Sequence, residues 1–106
     1  MTDADNFNKS AGLHAGVTES IRMLAEKHEI EKVILFGSRA RGDYGRASDI
    51  DLAVSGGNIG AFVLDVDEEA PTLLKYDFVN LDMQIQPSLR EEIRRDGRLL
   101  YEKQHS

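Results

Sequence analysis

The chain has no cysteine in its 106 residues, so disulfides and thiolate metal sites are excluded. No apolar run approaches the length of a bilayer span, and the N-terminus lacks the apolar core of a signal peptide. The expected location is therefore the cytoplasm, with no membrane partner. An excess of positive charge is also missing. The formal net charge is −6, which argues against a non-specific nucleic-acid binder. Two familiar phosphate loops are absent, since neither G-x-x-x-x-G-K-[ST] nor G-x-G-x-x-G occurs. The stretch from Asp49 is not an EF-hand, because Ala53 stands at its fifth position and no glycine follows. His14 and His28 have no partner at metal-ligand spacing and read as surface or helix-end histidines. Repeats, low-complexity segments and an internal domain boundary are not seen.

What is present fits one small domain. The length suffices for one core and not two. With 41% hydrophobic and 30% charged residues the composition is that of a soluble globular protein. Residues 1–11 are polar and read as a disordered leader, and 12–106 as the domain. The charge is uneven: Arg39, Arg41 and Arg46 cluster in one stretch, whereas Asp65, Asp67, Glu68 and Glu69 form an acidic run.

Periodicity orders the elements. Val17, Ile21, Leu24 and Ala25 recur at helical spacing and predict a first helix from about Leu13 to His28. Lys32 to Phe36 is the first strand, buried by its apolar run. Gly37-Ser38 breaks it, and a short helix is expected to begin near Ser38 or Arg39. Asp49 to Val54 is the second strand, Ile59 to about Ala70 a helix, and Lys75 to Leu81 the third strand. A final helix covers Leu89 to Asp96, with Ser88 as N-cap and Glu91 completing a capping box. Gly97 ends it before a short strand at Leu99-Leu100-Tyr101. The second Asp-x-Asp, Asp65-Val66-Asp67, falls on a helix. Its side chains diverge there by about 200°, so it reads as a solvated acidic face.

Asp49 and Asp51 are different. On a strand the side-chain period is two, so both carboxylates share a face. Like charges side by side raise each other's pKa, and a divalent cation removes the conflict. The hard cation for oxygen ligands beside phosphates is Mg²⁺. Gly37 permits a tight turn and a close backbone approach to phosphate.

Gly37-Ser38, ten intervening residues and Asp49-Ile50-Asp51 resemble the GS-x10-DxD signature of the DNA polymerase β-like nucleotidyltransferases. Leu35 to Gly42 followed by Ser48 to Leu52 resembles the minimal nucleotidyltransferases (the MNT family) in particular, and Ile93 to Tyr101 resembles their C-terminal end. The resemblance spans roughly Lys32 to Tyr101. It implies a small α/β (α+β) fold, a short mixed sheet with acids on one face and helices on the other. It implies transfer of AMP from ATP with two Mg²⁺ ions, and Asp49, Asp51 and Asp77 as catalytic residues and metal ligands. Asp77 matches the family's third carboxylate. Asp82 competes with it, but five residues on it points to the opposite face of a regular strand. Gly37 and Ser38 would cradle phosphates, with Arg39, Arg41 and Ser48 as further nucleotide contacts and Arg46 less so.

Larger relatives carry an extra helical domain that holds the acceptor, and no such domain follows the sheet here. The acceptor is then expected on another protein. In the minimal family the usual partner is a small helical HEPN-superfamily protein encoded nearby, a toxin that receives AMP on a tyrosine. Two other readings remain open: an antitoxin that inhibits by occlusion alone, and a transferase acting on a small molecule or an RNA end. The carboxylate set favours an enzyme, since acids buried without metal are costly. The acidic net charge weighs against RNA.

Overall fold

The computed structural model describes residues 11–70 and 72–104. Four strands form one mixed sheet in the order β3-β2-β1-β4. These are β1 (Lys32–Phe36), β2 (Ile50–Ser55), β3 (Tyr76–Asn80) and β4 (Arg98–Glu102). β1 pairs antiparallel with β2 and β4, and β2 pairs parallel with β3. The helices are α1 (Ala15–Lys27), α2 (Ser38–Arg41), α3 (Ile59–Glu69) and α4 (Pro87–Asp96).

The two-residue alternation splits the sheet into two faces. Val33 and Leu35 of β1 and Ile50, Leu52 and Val54 of β2 are fully buried. They pack with Val17 and Ile21 of α1 and Phe62 and Val66 of α3 in the main core. The opposite face carries Asp51 and Ala53. Here a smaller cluster of Phe36, Ala53 and Ile93 forms beneath α4, with Ile34, Val79 and Leu81 against it. The mixed sheet and its α/β class are thus as expected. Helices on the face away from the acids holds for α1 and α3, and α4 is added on the acid face.

Helix ends follow local chemistry. His14 caps α1, its Nδ1 accepting from Gly16 N at 3.1 Å. His28 ends α1, and its Nε2 lies 2.6 Å from Asp65 Oδ2 on α3. Lys27 adds an ion pair to the same carboxylate at 3.5 Å. Asp65 is therefore a tie between two helices and not merely part of a solvated face. Its carboxyl is lowered from the usual range, first by the His28 hydrogen bond. Ser88 is not the cap of α4. The helix begins one residue earlier, at Pro87, with Gln86 as N-cap and no side-chain cap hydrogen bond. Proline needs no N–H partner at the first position and has φ preset for the helix, so it overrides the capping box. Most of the expected leader lies outside the described residues, but its last residue, Ala11, is buried in the main core.

Candidate active site

The site is built where three strand ends meet. β1 ends at Phe36, which pairs with Asp51 of β2, and Asp51 pairs with Asp77 of β3. Paired residues on neighbouring strands project to the same face, with backbones about 4.8 Å apart. Asp51 and Asp77 are thus brought side by side by register alone. Asp49 stands just before β2 and is exposed, as is Asp77, whereas Asp51 is half-buried. The Asp51 carboxyl is pushed up to about 6. Burial is the largest cause, followed by the negative charges of Asp77, Asp49 and Glu92, while Arg41 pulls the other way.

Asp82 belongs elsewhere. Its carboxylate accepts from Gly56 N at 2.8 Å, beyond the far end of β2. Parity along β3 and this hydrogen bond both leave Asp77 as the acid beside Asp51.

Gly37 makes the turn out of β1 possible. Its φ of 76° and ψ of −158° lie in a region that is essentially glycine-only. A methyl group built on it would overlap Oδ2 of Asp51. Gly37→Ala should therefore both strain the turn and displace the Asp51 carboxylate. We expect a loss of about 2 kcal/mol in denaturant unfolding, from the backbone strain. Any activity that depends on the Asp51 carboxylate should also be lost at temperatures where the variant is still folded.

After Gly37 the chain makes the single turn α2, then Gly42 with φ 92°, then a loop back to β2. Two arginines of α2 have opposite fates. Arg39, expected as a nucleotide contact, is 2% exposed. Its Nη1 donates to the carbonyls of Ala11 at 2.9 Å and Gly12 at 3.1 Å. Its Nε donates to Ser48 O at 3.1 Å and its Nη2 to Arg46 O at 3.5 Å. Its guanidinium carbon sits 4.8 Å from the centre of the Tyr44 ring. The loop is wrapped around this side chain, and all three of its nitrogens donate to backbone carbonyls. Ser48 is engaged within the loop, its Oγ accepting from Gly45 N at 2.7 Å. Arg39 and Ser48 therefore both take part in shaping the loop.

Arg41 is reachable. Its Nε lies 3.2 Å from Asp43 Oδ2, and its Nη1 lies 3.6 Å from Glu92 Oε2 and 3.9 Å from Asp96 Oδ2 of α4. Sequence reasoning missed Glu92 and Asp96. Their only signal was an acidic pair at i and i+4, which shares one helix face. Ser38 opens α2, and its carbonyl accepts from Gly42 N at 2.9 Å and Asp43 N at 3.1 Å.

Among the described residues no three histidine or acidic side chains converge into a preformed metal cage. The donor set nevertheless suits a hard divalent cation. All donors are carboxylate oxygens, and a cation there offsets both causes that raise Asp51, its burial first and the neighbouring negative charges second.

Comparison with known proteins identifies the family and agrees with this fold. The family described as "Polymerase beta, Nucleotidyltransferase" matches residues 19–106. MJ0604 of Methanocaldococcus jannaschii, named as a protein adenylyltransferase, is 34% identical over 96 residues, covering 80% of this chain and 94% of that protein. A chain from the crystal structure of a toxin-antitoxin with AMP-PNP superposes with a TM-score of 0.64 at 26% identity, covering 82% of this chain and 74% of that one. A chain from the structure of a tri-AMPylated Shewanella oneidensis HEPN toxin in complex with MNT antitoxin shares the fold. There the TM-score is 0.57 at 18% identity, covering 82% of this chain and 71% of that one.

Proposed function

Because this chain belongs to the polymerase β nucleotidyltransferase family, we propose that it transfers AMP from ATP to a tyrosine of a small helical HEPN-family protein encoded nearby, and so acts as an antitoxin. The observation that carries the reading is the register pairing of Asp51 with Asp77 against the glycine turn. Kinship to MJ0604, a protein named for adenylyl transfer, supports AMP as the group and a protein as acceptor. The likeness to a chain of a toxin-antitoxin with AMP-PNP supports an adenine nucleotide and a toxin partner.

In this mechanism Asp49 and Asp51 would hold the Mg²⁺ of the nucleotide, and Asp77 would help to hold a second ion. When bound, Mg²⁺ neutralises charge on the attacking and leaving oxygens of an in-line displacement. The tyrosine oxygen attacks the α-phosphorus, the bond to the bridging oxygen breaks, and pyrophosphate leaves. Asp77 is the exposed carboxylate of the pair and accepts the tyrosine proton. Asp51 is fixed between two strands and orients the donor. Gly37 lets the backbone approach the polyphosphate, and Ser38 and Arg41 lie on the same turn. Such transfer asks for positioning and charge neutralisation more than covalent work from the protein.

The test is the intact mass of the neighbouring helical protein after incubation with ATP, Mg²⁺ and this chain. We expect AMP-sized increments with wild type and none with Asp49→Asn. A stable inhibitory complex without a mass change, equal for the variant, would replace the enzyme reading with occlusion.

A further inference from the structure

The two arginines of α2 differ in how their donors are used. Arg39 gives every nitrogen to a backbone carbonyl. Arg41 meets three carboxylates, yet its two contacts to α4, at 3.6 and 3.9 Å, are longer than hydrogen bonds. Its side chain is 38% exposed. Glu92 and Asp96 therefore attract the guanidinium without consuming its donors. They come from a different element, 51 and 55 residues further along the chain than Arg41, and lie one helical turn apart on α4. The arginine they hold sits one short turn after Gly37, which lies against Asp51. Without an anchor, a long exposed arginine samples many rotamers, and ordering it costs up to about 2 kcal/mol.

We propose that Glu92 is a positioning residue for the nucleotide: with Asp96 it pre-aims the free face of Arg41 at the polyphosphate of an incoming nucleoside triphosphate. The inference rests on the proposed reading of the site as a nucleotide pocket. On binding, Arg41 keeps its contact to α4 through Nη1 and offers its remaining N–H groups to the β- and γ-phosphate oxygens. α4 thus has a part in the site although none of its residues touches the nucleotide.

The sign of the effect separates this from simple charge. Glu92 is an anion beside a site for a polyanion. Removing its charge should tighten binding if it acts only through its field, and should weaken binding if it acts by aiming Arg41. The measurement is calorimetric affinity for α,β-methylene ATP with Mg²⁺, since its α–β bridge cannot be cleaved and no acceptor is needed. We expect Glu92→Gln to weaken binding about fivefold, the scale of one partly exposed ion pair. Glu92→Asp should stay within about twofold of wild type. Arg41→Ala should weaken binding about tenfold, and adding Glu92→Gln to it should change nothing more. Thermal unfolding of each variant identifies any loss that comes from misfolding. Tighter or unchanged binding by Glu92→Gln overturns the proposal, as does an equal fivefold loss in the Arg41→Ala background. Failure of wild type to bind the analogue would instead refute the nucleotide pocket itself, and this inference with it.

Discussion

Asp51→Asn should abolish nucleotidyl transfer and, in the absence of metal, raise the stability of the protein. The first half follows from the place of Asp51 at the middle of the acid set, paired with Asp77 and lying against Gly37. Losing one such preorganised group costs transfer at least about 10²-fold. The second half follows from the raised carboxyl. In the unfolded chain its pKa is 3.8, and in the fold it is about 6. Between those values the folded state binds more protons than the unfolded one, so stability falls as pH rises through this window. Above about 6 the full penalty remains. Two units correspond to at most about 3 kcal/mol, and partial exposure reduces this to about 1–2 kcal/mol. For a domain of this size that is a rise of about 5–10 °C in Tm for the variant at neutral pH. Calorimetry in a chelating buffer checks it. The gap between variant and wild type should be absent near pH 4, open towards pH 6 and then stay constant. Adding Mg²⁺ should close the gap by stabilising wild type alone. A variant no more stable than wild type at pH 7 would show that neither burial nor the neighbouring acids penalise the Asp51 charge in the fold.

Much of this site was legible because its parts are local or periodic. The Gly-Ser break is marked by glycine after an apolar run, the Asp49/Asp51 spacing rests on the two-residue period of strands, and the preference for Asp77 over Asp82 rests on that period together with the family resemblance. The partner of each strand matters little to that period, so β1 was placed residue for residue. The unread parts depend on contacts that span the chain. Arg39 looks like a phosphate contact because it follows Gly-Ser in a glycine-rich turn. Only the fold reveals that carbonyls from Ala11 and Gly12 return to it across 28 and 27 residues. His28 and Asp65 are 37 residues apart, and no spacing rule connects them. Glu92 meets Arg41 because Ile93 packs against Phe36 and Ala53, which turns the neighbouring residue of α4 towards the acids. In each case tertiary packing assigned a charged side chain that composition left open.

Arg39→Ala should unfold the active-site loop and lower global stability by about 3–4 kcal/mol, the largest stability loss expected from any charged residue here. The side chain is among the largest fully buried ones in the protein. Its removal leaves up to four carbonyls without their donor and a void beneath the Tyr44 ring. Each buried carbonyl left unsatisfied costs about 1–3 kcal/mol, and entry of water into the loop recovers part of it. Arg39→Lys should fall between, since an ammonium offers three donors from a point and cannot span carbonyls on three sides as the planar fork does. Denaturant unfolding of the metal-free protein measures this. Hydrogen exchange should localise the opening to 43–49, with protection of β1 and β2 reduced only as far as global stability falls. The contrast with Arg41 makes the prediction sharp. Arg41→Ala should cost nucleotide affinity while unfolding almost as wild type does, because its ion pairs are solvent-screened. If Arg39→Ala instead kept full stability and lost only affinity, its guanidinium would have to be a phosphate contact, and the loop would have to be held by something other than the carbonyl cage.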